Sequence, residues 1–295
     1  MRFRSSMAVD VGRTLAVHQH GAGDPTTIVS PDEVWLARRT PEGPATLRVT
    51  AAAGGVDAEA WGPGRDWFLA GVPELVGFHD DRDAVVPVHP AVADALRRFT
   101  DTRLSRSRLV LVALVAAVLA HRVTSIEARR AWIGVCRSLG EPAPGPVRLL
   151  LPPDPARLAA LPYWWFHRFG VDRRRATTIR RIAARADRVE ESVSLPLAAA
   201  HRRLLAFPGV GPWTVGTVAG PALGDPDAVV VGDYHLPHLV TWVLAGERVG
   251  TDDRMLELLA PYHGQRGRVQ RLLVLAHAGP PRRAPRQRIQ PVATW

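Results

Sequence analysis

Between Val11 and Val88 the chain sets short apolar runs against turn clusters: TLAVH at 14–18, TTIVS at 26–30, EVWLAR at 33–38 and ATLRVTA at 45–51. Runs of this length bounded by Gly, Pro, Asp and Ser predict β-strands, with one helix over Asp66–Val76 among them. From His89 to about Ala278 the apolar spacing changes to that of helices. It predicts them over Pro90–Phe99, Ser107–His121, Ser125–Leu139, Asp154–Ala160, Pro162–Phe169 and Asp172–Ala184. It continues with Leu195–Ala206, Pro212–Ala219, Tyr234–Ala245, Thr251–Ala260 and Arg266–Ala276. Gly140 punctuates one of these ends, while Ser125 followed by Ala128 lacks the glutamate of a full capping box. The expected fold is therefore α+β: a small N-terminal α+β domain over 1–98, a mostly α-helical domain over 99–279, and a basic, flexible tail over 280–295.

Composition narrows the function classes. With 46% hydrophobic and 22% charged residues the 295-residue chain can bury substantial cores. The formal net charge of +10 favours a polyanionic partner, nucleic acid or an anionic membrane surface. All 38 basic side chains are arginine, so no lysine is present to form a Schiff base. Cys136 is the only cysteine, which excludes an internal disulfide, a cysteine-ligated iron–sulfur cluster and a multi-cysteine zinc site. The longest apolar run, Leu109–Ala120, is shorter than the ~20 residues a membrane span needs and reads as a core helix. The opening MRFRSSMAVD carries charge without an apolar stretch behind it and does not read as a signal peptide.

The most informative segment is LLAFPGVGPWTVGT, 204–217. An apolar helix end meets Pro208, Gly209, Val210 and Gly211, and Pro212 then stands where a new helix begins. Glycines that permit positive φ and close approach let successive N–H groups and a helix N-terminus cradle a phosphate, although a plain αα-turn uses the same residues. Downstream, GDPDAVVVGDYHLPHL at 224–239 leads an apolar run into Asp233 at the start of another helix, where an isolated aspartate would serve as an N-cap.

Taken together, FPGVGPWT, the twenty-residue step from Trp213 to Asp233, and GDYHLPHLV closely resemble the helix-hairpin-helix/Gly-Pro-Asp superfamily of DNA glycosylases. The segments LVLVALVAAVLAHRVTSIEARRAWIGVCRSLGEP, FGVDRRRATTIRRIA and LAPYHGQRGRVQRLL resemble further helices of that superfamily, so the likeness spans roughly Leu109 to Ala276. Within it the chain is most similar to the alkylpurine branch, the type II 3-methyladenine DNA glycosylases, whose members carry a comparable α+β domain in front. The resemblance implies that Asp233 is the catalytic carboxylate, and that Phe207, Gly209, Val210, Gly211 and Thr214 form the DNA-binding hairpin. Arg122, in AHRVTS, falls at the DNA wedge. The hairpin loop of relatives also binds a monovalent cation through backbone carbonyls, here those of Leu205, Phe207 and Val210.

That likeness implies removal of alkylated purines from duplex DNA, with no cofactor, no catalytic metal, no membrane contact and no obligate protein partner. The expected setting is a cytoplasmic, nucleoid-associated monomer. A carboxylate close to C1′ stabilises the oxocarbenium-like state formed as the N-glycosidic bond breaks. Trp213 occupies the position that lysine holds in bifunctional relatives, which implies a monofunctional hydrolase. Its π-face would suit a cationic alkylated purine, or it could pack as core. Tyr234 could line the same base pocket or pack beneath it, and Arg122 could equally be a solvated loop residue. Arg271 stands where relatives offer an aromatic wall, so it either points elsewhere or alters specificity. His235 and His238 are expected to be surface or structural residues. A non-catalytic DNA-damage or structure-binding protein of the same fold is the alternative.

Overall fold

The computed structural model describes residues 1–5 and 8–281, so the tail from residue 282 onward lies outside the described residues. Five antiparallel strands, β1 Arg2–Arg4, β2 Thr27–Val29, β3 Glu33–Thr40, β4 Gly43–Ala52 and β5 Gly55–Trp61, form one sheet in the order β1-β5-β4-β3-β2. Alternation puts Val34, Leu36, Leu47, Val49 and Val56 on one face. There they pack with three short helices, α1 Val11–Leu15, α2 Arg65–Ala70 and α3 Val72–Leu75. The other face is covered as well: Trp35 stacks on Trp61 at 5.4 Å, and Leu149 and Leu151 close over them.

The rest is helical: α4 Pro90–Arg98, α5 Val110–Leu119, α6 Ser125–Leu139, α7 Pro155–Ala160, α8 Arg173–Ala183, α9 Ala186–Glu190, α10 Leu197–Leu205, α11 Pro212–Val218, α12 Leu236–Ala245, α13 Asp252–Leu259 and α14 Arg266–Ala276. The α+β architecture with a mostly helical second part agrees with the sequence pattern. Helix α5 is apolar all round and sits at the centre of the larger core, with Trp132, Phe166, Ile179 and Leu204 around it. It has no N-cap of its own; the Glu190 carboxylate accepts from the Val110 and Leu111 amides at 2.8 and 2.9 Å instead. A separate core joins α4, α12, α13 and α14 through Val92, Val240, Met255, Leu259, Val269 and Leu273. No helix among the described residues is long and apolar enough to cross a membrane.

Several local expectations are corrected. TLAVH is helical, because Asp10 caps α1 by accepting from the Arg13 amide at 2.8 Å; a 3₁₀ turn at Ala16–His18 follows. The single helix expected over Asp66–Val76 is two, divided at Gly71. Helix α6 does carry a capping box, one position earlier than Ser125: Thr124 and Glu127 cap each other. Tyr163–Phe169 is a 3₁₀ helix rather than an α-helix.

Candidate active site

The turn between α10 and α11 is shaped by Gly209, at φ +96°, where the Val210 amide donates to the Phe207 carbonyl at 2.9 Å. A Cβ at Gly209 would lie 2.1 Å from Thr178 Oγ1, so this turn packs directly on α8. Gly211 differs from the expectation: its φ of −116° is ordinary, and a Cβ there would meet nothing within 4 Å. The Phe207 and Val210 side chains are buried in the helical core, so only their backbone groups can face a ligand. Leu205, the third residue with an expected cation-binding carbonyl, has an exposed side chain on the last turn of α10.

Gly216 brings the next segment close. A Cβ at this position would fall 2.4 Å from the Val229 carbonyl oxygen, so the 229–231 run crosses α11 in direct backbone contact. Gln270 of α14 clamps the run by accepting from the Val230 amide at 2.9 Å and donating to its carbonyl at 3.2 Å. Gly232 then turns the chain at φ +76°, its amide donating to Asp252 at 2.8 Å. These contacts deliver Asp233 to Trp213.

The Asp233 carboxylate accepts three N–H groups. Oδ1 takes the His235 and Leu236 amides at 2.7 and 3.0 Å, and Oδ2 takes the Trp213 indole N–H at 3.1 Å. Asp233 therefore does the work of a helix cap, with α12 beginning at Leu236 rather than at Tyr234, and still presents an oxygen to Trp213. Tyr234 projects outward at 77% exposure, its ring edge-on to His235 and His238. His238 Nδ1 accepts from the Gly250 amide at 2.9 Å, a structural contact. Among the described residues no group of three or more His, Cys, Asp or Glu side chains is placed to hold a metal ion.

Trp213 also lines a cavity of about 180 Å³ between the two parts of the molecule. One wall is α5, through small residues such as Ala113, Ala116 and Ala120, and another is the N-terminal unit, through His18, His20 and Arg38. These three polar residues were not singled out in the sequence. His18 and Arg38 fell inside the expected strands TLAVH and EVWLAR, and His20 lay just beyond the first.

His121 was missed as well. Its Nε2 is 2.9 Å from Thr214 Oγ1 and its ring stands edge-on to Trp213 at 5.6 Å. Burial, aided by the nearby Arg175 and Arg174 guanidinium groups, pushes its pKa below the usual imidazole range. Thr214 is 2% exposed and bonded to His121, so its side chain does not reach the surface expected to meet DNA. Arg122, next in the chain, is exposed and adopts a left-handed φ of 54° that arginine rarely takes. Arg271 points away from the cavity to the Arg13, Thr14 and Arg103 carbonyls at 3.0 to 3.4 Å. Burial lowers its pKa to about 10.

No family model and no curated protein matches the chain. Solved structures do. The 3-methyladenine DNA glycosylase from Archaeoglobus fulgidus superposes with a TM-score of 0.76 at 15% identity, over 94% of this chain and 98% of its own. The Clostridium acetobutylicum 8-oxoguanine glycosylase/lyase, bound to double-stranded DNA with cytosine opposite 8-oxoguanine, gives 0.61 at 14% identity over 84% and 95%. Schizosaccharomyces pombe 3-methyladenine DNA glycosylase with abasic DNA gives 0.51 at 16% over 64% and 93%. The chain thus has the fold of helix-hairpin-helix DNA glycosylases.

Proposed function

We propose that this protein is a monofunctional DNA glycosylase that hydrolyses the N-glycosidic bond of alkylated purines in duplex DNA and leaves an abasic site. The observation that carries the proposal is the Asp233 carboxylate, held by three N–H donors against Trp213 at the edge of a cavity suited to a base. The cavity exceeds the roughly 150 Å³ that accommodates benzene in an engineered protein interior.

In this reading DNA is held first by its phosphates. The hairpin at 209–211 offers backbone N–H groups, with open space beside Gly211 for a phosphate to approach, and the charge of +10 supplies long-range attraction. Arg122 supports the opening of the duplex, because strain at an exposed position is retained where function needs it. The extruded base enters beside Trp213. As the bond to the base breaks, positive charge grows on the deoxyribose, and the fixed Asp233 carboxylate stabilises it without having to reorganise. Water completes the reaction. The fold-mates that hold DNA support the substrate, and the absence of lysine from the chain separates it from a lyase that works through an amine side chain.

The test is to compare wild type with Asp233→Asn in single-turnover base release from methylated duplex DNA. Release is expected to fall at least about 100-fold, while affinity for an abasic-site analogue stays within a few-fold. Borohydride should trap no protein–DNA adduct. Retention of more than about a tenth of the wild-type rate would remove Asp233 from the chemistry, and a trapped adduct would end the monofunctional assignment.

A further inference from the structure

The turn after α5 reaches across to α11 through one side chain. His121, half-buried, stands one residue before the exposed Arg122, its amide donating to the Val118 carbonyl at 3.2 Å. Its Nε2 lies 2.9 Å from Thr214 Oγ1. Either group can be the donor, since a neutral imidazole and a hydroxyl each give one proton and accept another. Thr214 is buried and its hydroxyl has no other hydrogen-bond partner among the described residues, so breaking this bond would strand it. The bond therefore pins the ring to the first turn of α11.

So pinned, the ring meets the neighbouring Trp213 indole edge-on, with centroids 5.6 Å apart and planes at 79°. Aromatic quadrupoles favour this arrangement, and it opposes rotation of the indole. The restraint matters because the indole borders the cavity and has open space beside it. Among the described residues His121 is its one aromatic neighbour. The indole N–H runs to Asp233 Oδ2 at 3.1 Å, so a tilt of the indole redirects the carboxylate. Burial, with the Arg175, Arg174 and Arg122 guanidinium groups adding to it and Asp172 opposing it, holds the His121 pKa below the usual imidazole range. The ring is thus neutral at ordinary pH and adds no positive charge to a site where the deoxyribose becomes cationic.

We propose that His121 is a positioning residue for base release: its ring, anchored on Thr214, fixes the plane of the Trp213 indole and so the direction of the Asp233 carboxylate. The proposal rests on the glycosylase reading above. No hydrogen bond joins His121 to Asp233 among the described residues, so its influence passes through Trp213. A preorganised charge stabilises a transition state only in the right place, and an error of about 1 Å can cost about 100-fold in rate. A looser indole lets the carboxylate sample orientations in which it faces the sugar less directly. Affinity for DNA, carried by phosphate contacts, does not depend on that orientation.

A double-mutant cycle tests the route. Single-turnover base release from methylated duplex DNA is compared for wild type, His121→Ala and His121→Phe, and for the same changes made in Trp213→Phe, with abasic-site affinity and urea midpoint measured for each. His121→Ala removes both ring and bond and should slow release about tenfold, with abasic-site affinity within a few-fold of wild type. His121→Phe puts a ring back against the indole and should recover about threefold of that loss. In Trp213→Phe, which has no N–H to offer Asp233, His121→Ala should cost less than about twofold, because nothing is left to align. If His121→Ala does not fold, His121→Phe carries the same test, with a loss of about threefold beside Trp213 and none beside Phe. A role confined to stability would slow release equally in the two backgrounds. Equal losses in both, a wild-type rate in His121→Ala, or a loss confined to abasic-site affinity would overturn the proposal while Asp233-dependent release, and with it the enzyme, remained. Absence of base release from wild type would instead end the glycosylase reading, and this proposal with it.

Discussion

Trp213 donates its indole N–H to Asp233 Oδ2 across 3.1 Å, joining the first turn of one helix to the residue that caps another. The pair sets the orientation of the carboxylate, since Oδ1 is already committed to two backbone amides. Trp213→Phe keeps an aromatic face in the cavity but deletes this donor. It should lower the single-turnover rate about tenfold with little change in duplex affinity, the scale of one hydrogen bond to a charged group. Trp213→Ala, which also removes the stacking face, should lose more. A Phe variant with the wild-type rate would show that the hydrogen bond is incidental.

The two hairpin glycines should separate stability from DNA binding. Gly209→Ala places a methyl group against Thr178 at a left-handed φ and should cost about 1–3 kcal/mol. Gly211→Ala meets no protein atom at an ordinary φ, so its stability should stay within about 0.5 kcal/mol of wild type. Its methyl group would instead enter the space proposed for a phosphate and weaken duplex binding. Denaturant melts and fluorescence-anisotropy titrations measure the two effects. Normal DNA affinity in Gly211→Ala would move the phosphate site away from this turn.

Stability should fall with acidification before most carboxylates titrate. His20 is lowered from 6.5 to about 4, and His18 and His121 are lowered as well. The native state therefore binds fewer protons than the unfolded chain between these values. The stabilisation is complete above pH 6.5 and is lost as the pH falls toward 4, with His20 alone contributing about 3 kcal/mol. Urea midpoints measured between pH 7 and 4.5 should decline, and His20→Phe should flatten part of that decline. A wild-type profile flat over this range would show that these imidazoles are solvated.

How much of this was visible in the sequence depends on the range of the interaction. Ser125–Leu139 and Arg266–Ala276 form helices over the expected residues, because a regular apolar stripe is a local signal. Pro212 opens α11 as expected, and Asp233 meets Trp213 because the spacing of the hairpin carries its own geometry. Thr214 could not be placed from spacing alone; its neighbour His121 lies 93 positions away, and their bond turns it inward. TLAVH has strand-like composition, yet one carboxylate at Asp10 makes it helical. The cavity wall was least visible: Arg38 and His20 belong to different local elements, and only the tertiary fold brings them to the cavity that Trp213 lines.

That fold makes the two parts of the chain a single instrument. The first forty residues supply one side of the chamber and the helices supply the other, so neither part holds a chamber alone. A shortened protein containing only the helices would retain Asp233 and the hairpin but open the Trp213 side to bulk water. A base swung out of the duplex would then exchange one solvated face for another, with no enclosed surroundings to compensate for leaving its neighbours in the stack. Grafting the helical half onto a different leader would bring the same loss, however faithfully the hairpin were copied.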